Sequence, residues 1–297
     1  MIIFTSNRPL SRAENIKSVY DAYTGEKEFV QMNVKHPSHE LHSGYYDLMV
    51  TDELPYDSPG KCLFIGHGMG ALKKYGLDQP LPYFNRPDLI TCAIASSEEM
   101  VPIVAKQCGI KMEQVIPLGM PRTDAYFNVP SSEEHYLYVP TYRDNTAWMP
   151  DFEIISNYLP DGEKIIVKLH MMTGDAVTGA WNNVELAPSV FATTPYLMKS
   201  KAIITDYSSL IFDAMVLRKP TLLFAKDRFR YFTDRGFYFR YPDKYSRFYF
   251  EDEKTLAENL NSAEWSDFDE ELRTFYTGAC DGHSVERVLE LIHNLGG

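Results

Sequence analysis

Short apolar runs alternate with amphipathic stretches along most of this chain, and the alternation sets the first expectations. Ile2 to Thr5, Glu28 to Asn33, Asp47 to Thr51, Lys61 to Ile65, Leu89 to Ala95 and Gln114 to Leu118 have the length and β-branched texture of buried strands. Between them, Ser11 to Tyr23 reads as a helix with Ser11 and Glu14 at capping-box spacing, and Glu98 to Cys108 as another. Asn128 to Glu134 is polar and unperiodic, as a linker is, and the alternation then restarts. His135 to Val139, Lys164 to Leu169, Ala202 to Thr205 and Thr221 to Phe224 read as strands; Glu253 to Leu260, Ser266 to Tyr276 and Ser284 to Leu295 as helices. The last helix carries Val285, Val288, Leu289 and Ile292 on one stripe and is expected to pack against a core. The pattern predicts an α/β protein with largely parallel sheets, divided into a domain over 1–130 and a second over 131–297 that includes the terminal helices.

Charge and cysteine usage narrow the function. The chain of 297 residues has a formal net charge of −12, which argues against a nucleic-acid partner and favours at most peripheral contact with an anionic membrane, while leaving room for a local basic surface. Cys62, Cys92, Cys108 and Cys280 show no C-x-x-C spacing and mostly sit in apolar runs, as reduced thiols of a cytoplasmic protein do. The N-terminus lacks the basic lead of a signal peptide, and no apolar run is long enough to span a bilayer. His36, His39 and His42 are three apart, but Pro and Ser place them in a loop and no Cys joins them, so no metal is expected.

Candidate chemistry collects at the predicted carboxyl ends of strands, where open α/β sheets place their sites. Lys61 to Ile65 runs into Gly66-His67-Gly68-Met69-Gly70, whose glycines let a ligand approach the backbone, making His67 a general-base candidate; the plain alternative is a glycine-rich connector. Gly119 to Asp124 would bring Arg122 to the same place, unless it is an ordinary loop with an Arg–Asp pair. In the second half, successive strands deliver Arg143 (after Pro140-Thr141-Tyr142), then Lys168 with His170, then Ser208 with Ser209. Cations and hydroxyl donors gathered in an acidic protein suit an anionic ligand. The turn Thr205-Asp206-Tyr207-Ser208-Ser209 opens an apolar helix, a position that suits a phosphate, with Asp213 one turn on for ribose hydroxyls; otherwise Asp206 and Ser208 simply cap a core helix. Lys226 to Tyr249 is dense in Arg, Tyr and Phe and reads as a lid or acceptor groove.

In order, GHGMGALKKYG, IASSEEM, GMPRTD, YVPTYR, VKLH, SKAIITDYSSLIFD, the RGFYF run and DGHSVERV resemble the CDP-glycerol glycerophosphotransferases of teichoic-acid and capsule synthesis. The resemblance runs from about Cys62 to the C-terminal helix. It implies a B-type glycosyltransferase fold, two Rossmann-like domains facing a cleft with the nucleotide held mainly by the second. The family's motif histidine falls on His67, its second histidine on His170, its arginine on Arg143 and its phosphate-binding serines on Ser208 and Ser209. Gly66 stands where the family usually has Trp, and Met171 where it often has Pro. The implied reaction moves glycerol phosphate from CDP-glycerol, or a related CDP-alditol, to a hydroxyl of a lipid-linked or saccharide acceptor. His67 would be the base and His170 a second catalytic group, with Gly68, Arg122, Thr141, Arg143 and Lys168 around the substrates. Thr205, Asp206, Ser208, Ser209 and Asp213 would complete the donor side, with no cofactor and no obligatory metal.

Overall fold

β1 (Ile2–Ser6) is buried along its whole length and lies between two parallel neighbours, β2 (Lys27–Gln31) and β3 (Leu48–Thr51). The computed structural model describes residues 1–32, 45–55, 58, 60–69, 72–78, 86–127, 132–143, 149–170, 179–189, 192–260 and 269–296. The chain divides into two compact units, Met1–Val129 with Thr274–Gly297, and Pro130–Arg273.

In the first unit the sheet continues through β4 (Lys61–Phe64), β5 (Cys92–Ile94) and β6 (Val115–Ile116), in the order β2-β1-β3-β4-β5-β6 with every pair parallel. α1 (Glu14–Ala22) and α2 (Val101–Cys108) are its crossover helices. β3 is buried throughout, as a strand covered on both faces must be, whereas β2 at the edge has no fully buried residue and exposes Glu28 and Gln31. The sheet grows in opposite directions from β1 and β3, so its topological switch point lies at their carboxyl ends.

The second unit builds its own parallel six-stranded sheet, β12-β11-β10-β7-β8-β9. Its strands are β7 (His135–Val139), β8 (Ile165–Val167), β9 (Val184–Leu186), β10 (Ser200–Thr205), β11 (Thr221–Phe224) and β12 (Tyr249–Phe250). α3 (Phe152–Tyr158), α4 (Thr194–Lys199), α5 (Leu210–Val216), α6 (Arg228–Arg235) and α7 (Glu253–Asn259) connect and cover them. Tyr138, Phe152, Ile204, Phe224 and Leu256 belong to one core cluster. Here the switch point falls between β7 and β10.

Three expectations change. Ser11 does not form a capping box: the Pro9 carbonyl accepts from Arg12 and Ala13, which makes a 3-10 turn, and α1 starts at Glu14. α8 (Glu270–Thr277) ends and α9 (Ser284–Gly296) lies with the first unit, although both were assigned to the second domain from the sequence. The cause is specific bonding: both Asp124 carboxylate oxygens cap α9 through Ser284 and Val285 N–H, and Arg287 donates to the Leu118 and Ala279 carbonyls. Gly119, at φ 81°, sits so close to this segment that a Cβ would lie 2.4 Å from the Ala279 oxygen. Finally, α3, β9, α4, α6 and β12 were not foreseen. The run with His36, His39 and His42 and most of the expected linker lie outside the described residues. Among the described residues no helix is long and apolar enough to cross a membrane, and no group of His, Cys, Asp and Glu is arranged to hold a metal ion.

Candidate active-site groups at two switch points

Chain segments leaving β1, β3 and β4 meet at the first switch point and bring Arg8, Asp52, Glu53 and His67 together. His67 Nδ1 lies 3.2 Å from the Asp52 carbonyl oxygen and 3.3 Å from Glu53 Oε1. A carbonyl oxygen only accepts, so Nδ1 carries the proton and Nε2 the lone pair. Arg8 stands 3.3 Å from Glu53 and 3.7 Å from Asp52, and the Tyr75 ring meets the imidazole edge-on at 5.8 Å. The loop is held from behind: Asn15 donates to the Gly66 carbonyl at 2.8 Å and Arg122 to the His67 carbonyl at 2.7 Å. Gly66 adopts φ 61°, a left-handed conformation in which a tryptophan would be strained.

These surroundings set the protonation states. Although the His67 side chain is 34% exposed, desolvation of its ring first, then the positive charges of Arg8 and Arg122, push the imidazole down to about 4, so it is neutral at physiological pH. Burial pushes the Asp52 carboxyl up to about 6 against the pull of His67 and Arg8, and raises Glu53 as well. Asp52 is 1% exposed and neither of its carboxylate oxygens accepts a hydrogen bond among the described residues.

At the second switch point the polar groups answer one another. Asp206 accepts from the Thr141 N–H at 2.8 Å, a bond that spans the ends of β7 and β10, and from Arg143 at 2.7 Å. Arg143 also makes a two-pronged pair with Asp227, at 2.6 and 2.9 Å, and its guanidinium lies 5.0 Å from the Tyr207 ring centroid and 5.2 Å from that of Tyr231. Tyr207 stacks on Tyr231 at 3.9 Å and donates to Asp227 at 2.9 Å. Burial would raise the Asp227 carboxyl, yet the hydrogen bonds and charge of Arg143 hold it below its usual range; the two aspartates in turn keep Arg143 charged despite its burial. The Thr141 hydroxyl is buried with no hydrogen-bond partner among the described residues.

The adjacency of β10, β7 and β8 delivers Ser208 and Ser209, Thr141 and Arg143, and Lys168 with His170 to one sheet edge. Ser208 Oγ accepts from Leu210 N–H at 3.4 Å and both serines are half-buried. Lys168 Nζ donates to the Ser189 carbonyl at 3.0 Å, and the exposed His170 ring lies 5.6 Å from Tyr142. Four sequence-derived assignments change. Arg143 is the hub of an internal ion-pair network instead of an open cation. Arg122 is buried and braces the His67 loop. Asp213 and Thr205 are fully buried, the latter donating to the Val139 carbonyl, so Asp213 does not present its side chain to a ribose and the Thr205 hydroxyl does not face the donor. Arg8, Asp52, Glu53 and Asp227 were missed. For Asp52 and Glu53 a signal was there: an acidic pair directly follows the run Leu48-Met49-Val50-Thr51.

Residues 47–294 match the family model described as CDP-Glycerol:Poly(glycerophosphate) glycerophosphotransferase. A teichoic acid glycerol-phosphate primase of Bacillus subtilis is 26% identical over 279 residues, covering 83% of this chain and 71% of that one. A teichoic acid ribitol-phosphate primase of Bacillus spizizenii is 25% identical over 265 residues, covering 76% and 67%. Among solved structures, the wall teichoic acid polymerase TagF superposes with a TM-score of 0.79 at 20% identity over 99% of this chain and 88% of that one.

Proposed function

The chain belongs to the CDP-glycerol:poly(glycerophosphate) glycerophosphotransferase family, and from that premise we propose that it transfers glycerol phosphate from CDP-glycerol to an acceptor hydroxyl in teichoic-acid synthesis. The acceptor oxygen attacks the phosphorus that bears the glycerol, the bond to the bridging oxygen breaks, and CMP leaves. The acceptor proton passes to Nε2 of His67. Observation of a neutral imidazole at a switch point, with Nδ1–H committed to the Asp52 carbonyl and Nε2 left as the base, carries this reading. On the donor side, Ser208, Ser209, the Thr141 hydroxyl, Lys168 and His170 are the groups proposed to meet the diphosphate, and Arg143 with Asp206 and Asp227 fixes the loops that present them. The transfer needs no cofactor, and charge on the leaving group is met by these side chains. The first unit is proposed to serve the acceptor and the second the nucleotide. The acceptor is lipid-linked or saccharide. Four buried, free thiols support a reducing, cytoplasmic setting; a place at the inner face of the membrane is part of the same proposal.

The ribitol-phosphate primase among the relatives supports a second reading in which the donor is CDP-ribitol. Thermal shift against CDP-glycerol, CDP-ribitol, UDP-sugars and CMP separates them; a ligand at a hundred times its Kd stabilises by about 2.7 kcal/mol. A cytidine preference is expected, and a clear preference for UDP would remove the glycerophosphotransferase reading for this chain.

A further inference from the structure

The proton on His67 Nδ1 faces two acceptors, and only one of them can carry charge. The Asp52 carbonyl oxygen lies at 3.2 Å and Glu53 Oε1 at 3.3 Å. The carbonyl alone is enough to fix the tautomer, which leaves the carboxylate unexplained. Glu53 is held in place from two strands. At the end of β3 the Thr51 hydroxyl accepts from the Glu53 N–H at 3.2 Å and donates to the Glu53 carbonyl at 3.0 Å. From beyond the end of β1, Arg8 reaches the same Oε1 that faces His67, at 3.3 Å. The Glu53 side chain is 19% exposed, so water screens its charge only in part. Burial raises its carboxyl above the usual range, and Arg8 opposes that rise.

We propose that Glu53 is a positioning residue for His67, holding the ring by Nδ1–H and supplying the negative charge that offsets the imidazolium formed during transfer. This inference rests on His67 being the base and deepens that reading. As the acceptor O–H bond breaks, its proton goes to Nε2 and the oxygen's electron pair forms the new bond to phosphorus. Nδ1 keeps its own proton, Glu53 stays a carboxylate, and Nε2 later releases the proton to solvent. The step creates a cation in surroundings whose desolvation, with the charges of Arg8 and Arg122, opposes it. A carboxylate fixed beside Nδ1 before the reaction offsets both effects at no cost of reorganisation. Among the described residues the charged and titratable groups about the ring are Arg8, Asp52, Glu53, Tyr75 meeting it edge-on, and Arg122 behind the loop.

The test follows CMP release across pH in E53Q, E53D and R8Q, with CDP affinity measured by calorimetry. E53Q keeps the size of the side chain and its hydrogen-bond acceptor and loses the charge. It is expected to lower kcat about tenfold or more, leave donor KM and CDP affinity unchanged, and move the acidic limb of the rate profile to lower pH. E53D keeps the charge but withdraws it from Nδ1, so a smaller loss and a smaller shift in the same direction are expected; it carries the test if E53Q folds poorly. R8Q removes a positive charge beside the same ring and is expected to move the limb to higher pH. A residue that only braced the loop would not give shifts of opposite sign. Wild-type kcat in E53Q, a limb that stays in place in both Glu53 variants, or a limb that moves in D52N alone overturns the proposal. A slow His67→Ala beside a normal E53Q removes the role of Glu53 and leaves the base, whereas normal turnover by His67→Ala removes both.

Discussion

Both sheets put polar residues at a switch point, and the two sets are in opposite electrostatic condition. In the second unit each charge has its counterpart: Arg143 lies between Asp206 and Asp227, and Tyr207 closes the ring. In the first, a buried carboxylate accepts no hydrogen bond among the described residues, and an imidazole beside it is kept neutral. A satisfied network is rigid and suits holding a ligand's position; a neutral imidazole beside a carboxyl whose affinity for its proton is raised suits accepting a proton. The same topological position thus presents two different electrostatic environments, matching the two roles proposed for the units.

The largest effect is expected where the satisfied network is broken. Arg143→Ala strands two carboxylates and should cost about 3–5 kcal/mol of stability in denaturant unfolding. A loss under about 1 kcal/mol would mean that water replaces the guanidinium freely and that the network is not rigid. Next comes the proposed base: His67→Ala should slow CMP release by about 10²-fold or more while leaving CDP affinity in calorimetry nearly unchanged. His170→Ala should weaken both. If His67→Ala instead loses CDP binding and keeps its turnover at saturating donor, the assignment of the two units is reversed. Ser208→Ala should reduce CDP affinity by about 1.5–3 kcal/mol, and normal binding would leave the serine as a helix cap only.

The smallest effect concerns pH. Asp52 has a folded-state pKa of about 6 against an ordinary 3.8, so the native state holds its proton more tightly. Its favourable contribution is present at pH below 3.8 and is lost as pH rises through about 6. His67 acts with the opposite sign, since its pKa falls from 6.5 to about 4 and stability is lost as pH drops across that window. The two oppose each other in the wild type, the His67 effect being weakened by the 34% exposure of its side chain. Asp52→Asn should therefore stabilise the protein by about 1–3 kcal/mol at neutral pH and uncover a decline on acidification. Melts of wild type and variant that run parallel from pH 4 to 6 would show that Asp52 and His67 do not oppose each other.

The central strands were legible in the sequence because burial on both faces makes them continuously apolar: His135–Val139 and Thr221–Phe224 match their expected bounds. Val184–Leu186 and Tyr249–Phe250 were not, being edge strands of three and two residues whose only strong signal is the neighbour they pair with. The candidate site was half legible. His67 stood out between glycines, and Arg143 and the serines by position after strands. What sequence spacing could not supply was pairing across distance: Asp227 meets Arg143 from 84 positions away, and this decides that the arginine's charge is already answered. Arg122 was misread for the same reason, since its partner is a backbone carbonyl.

The return of α9 to the first unit has a consequence for biogenesis. Residues 130–273 are contiguous and can begin to fold as they leave the ribosome, whereas the unit carrying His67 lacks its Asp124-capped helix until residues near 296 have been made. The order of completion along the chain is therefore inverted, with the later-encoded unit ready first. Clipping or tagging within this helix should accordingly be felt at the histidine loop, more than two hundred positions upstream, before it is felt in the sheet of the second unit.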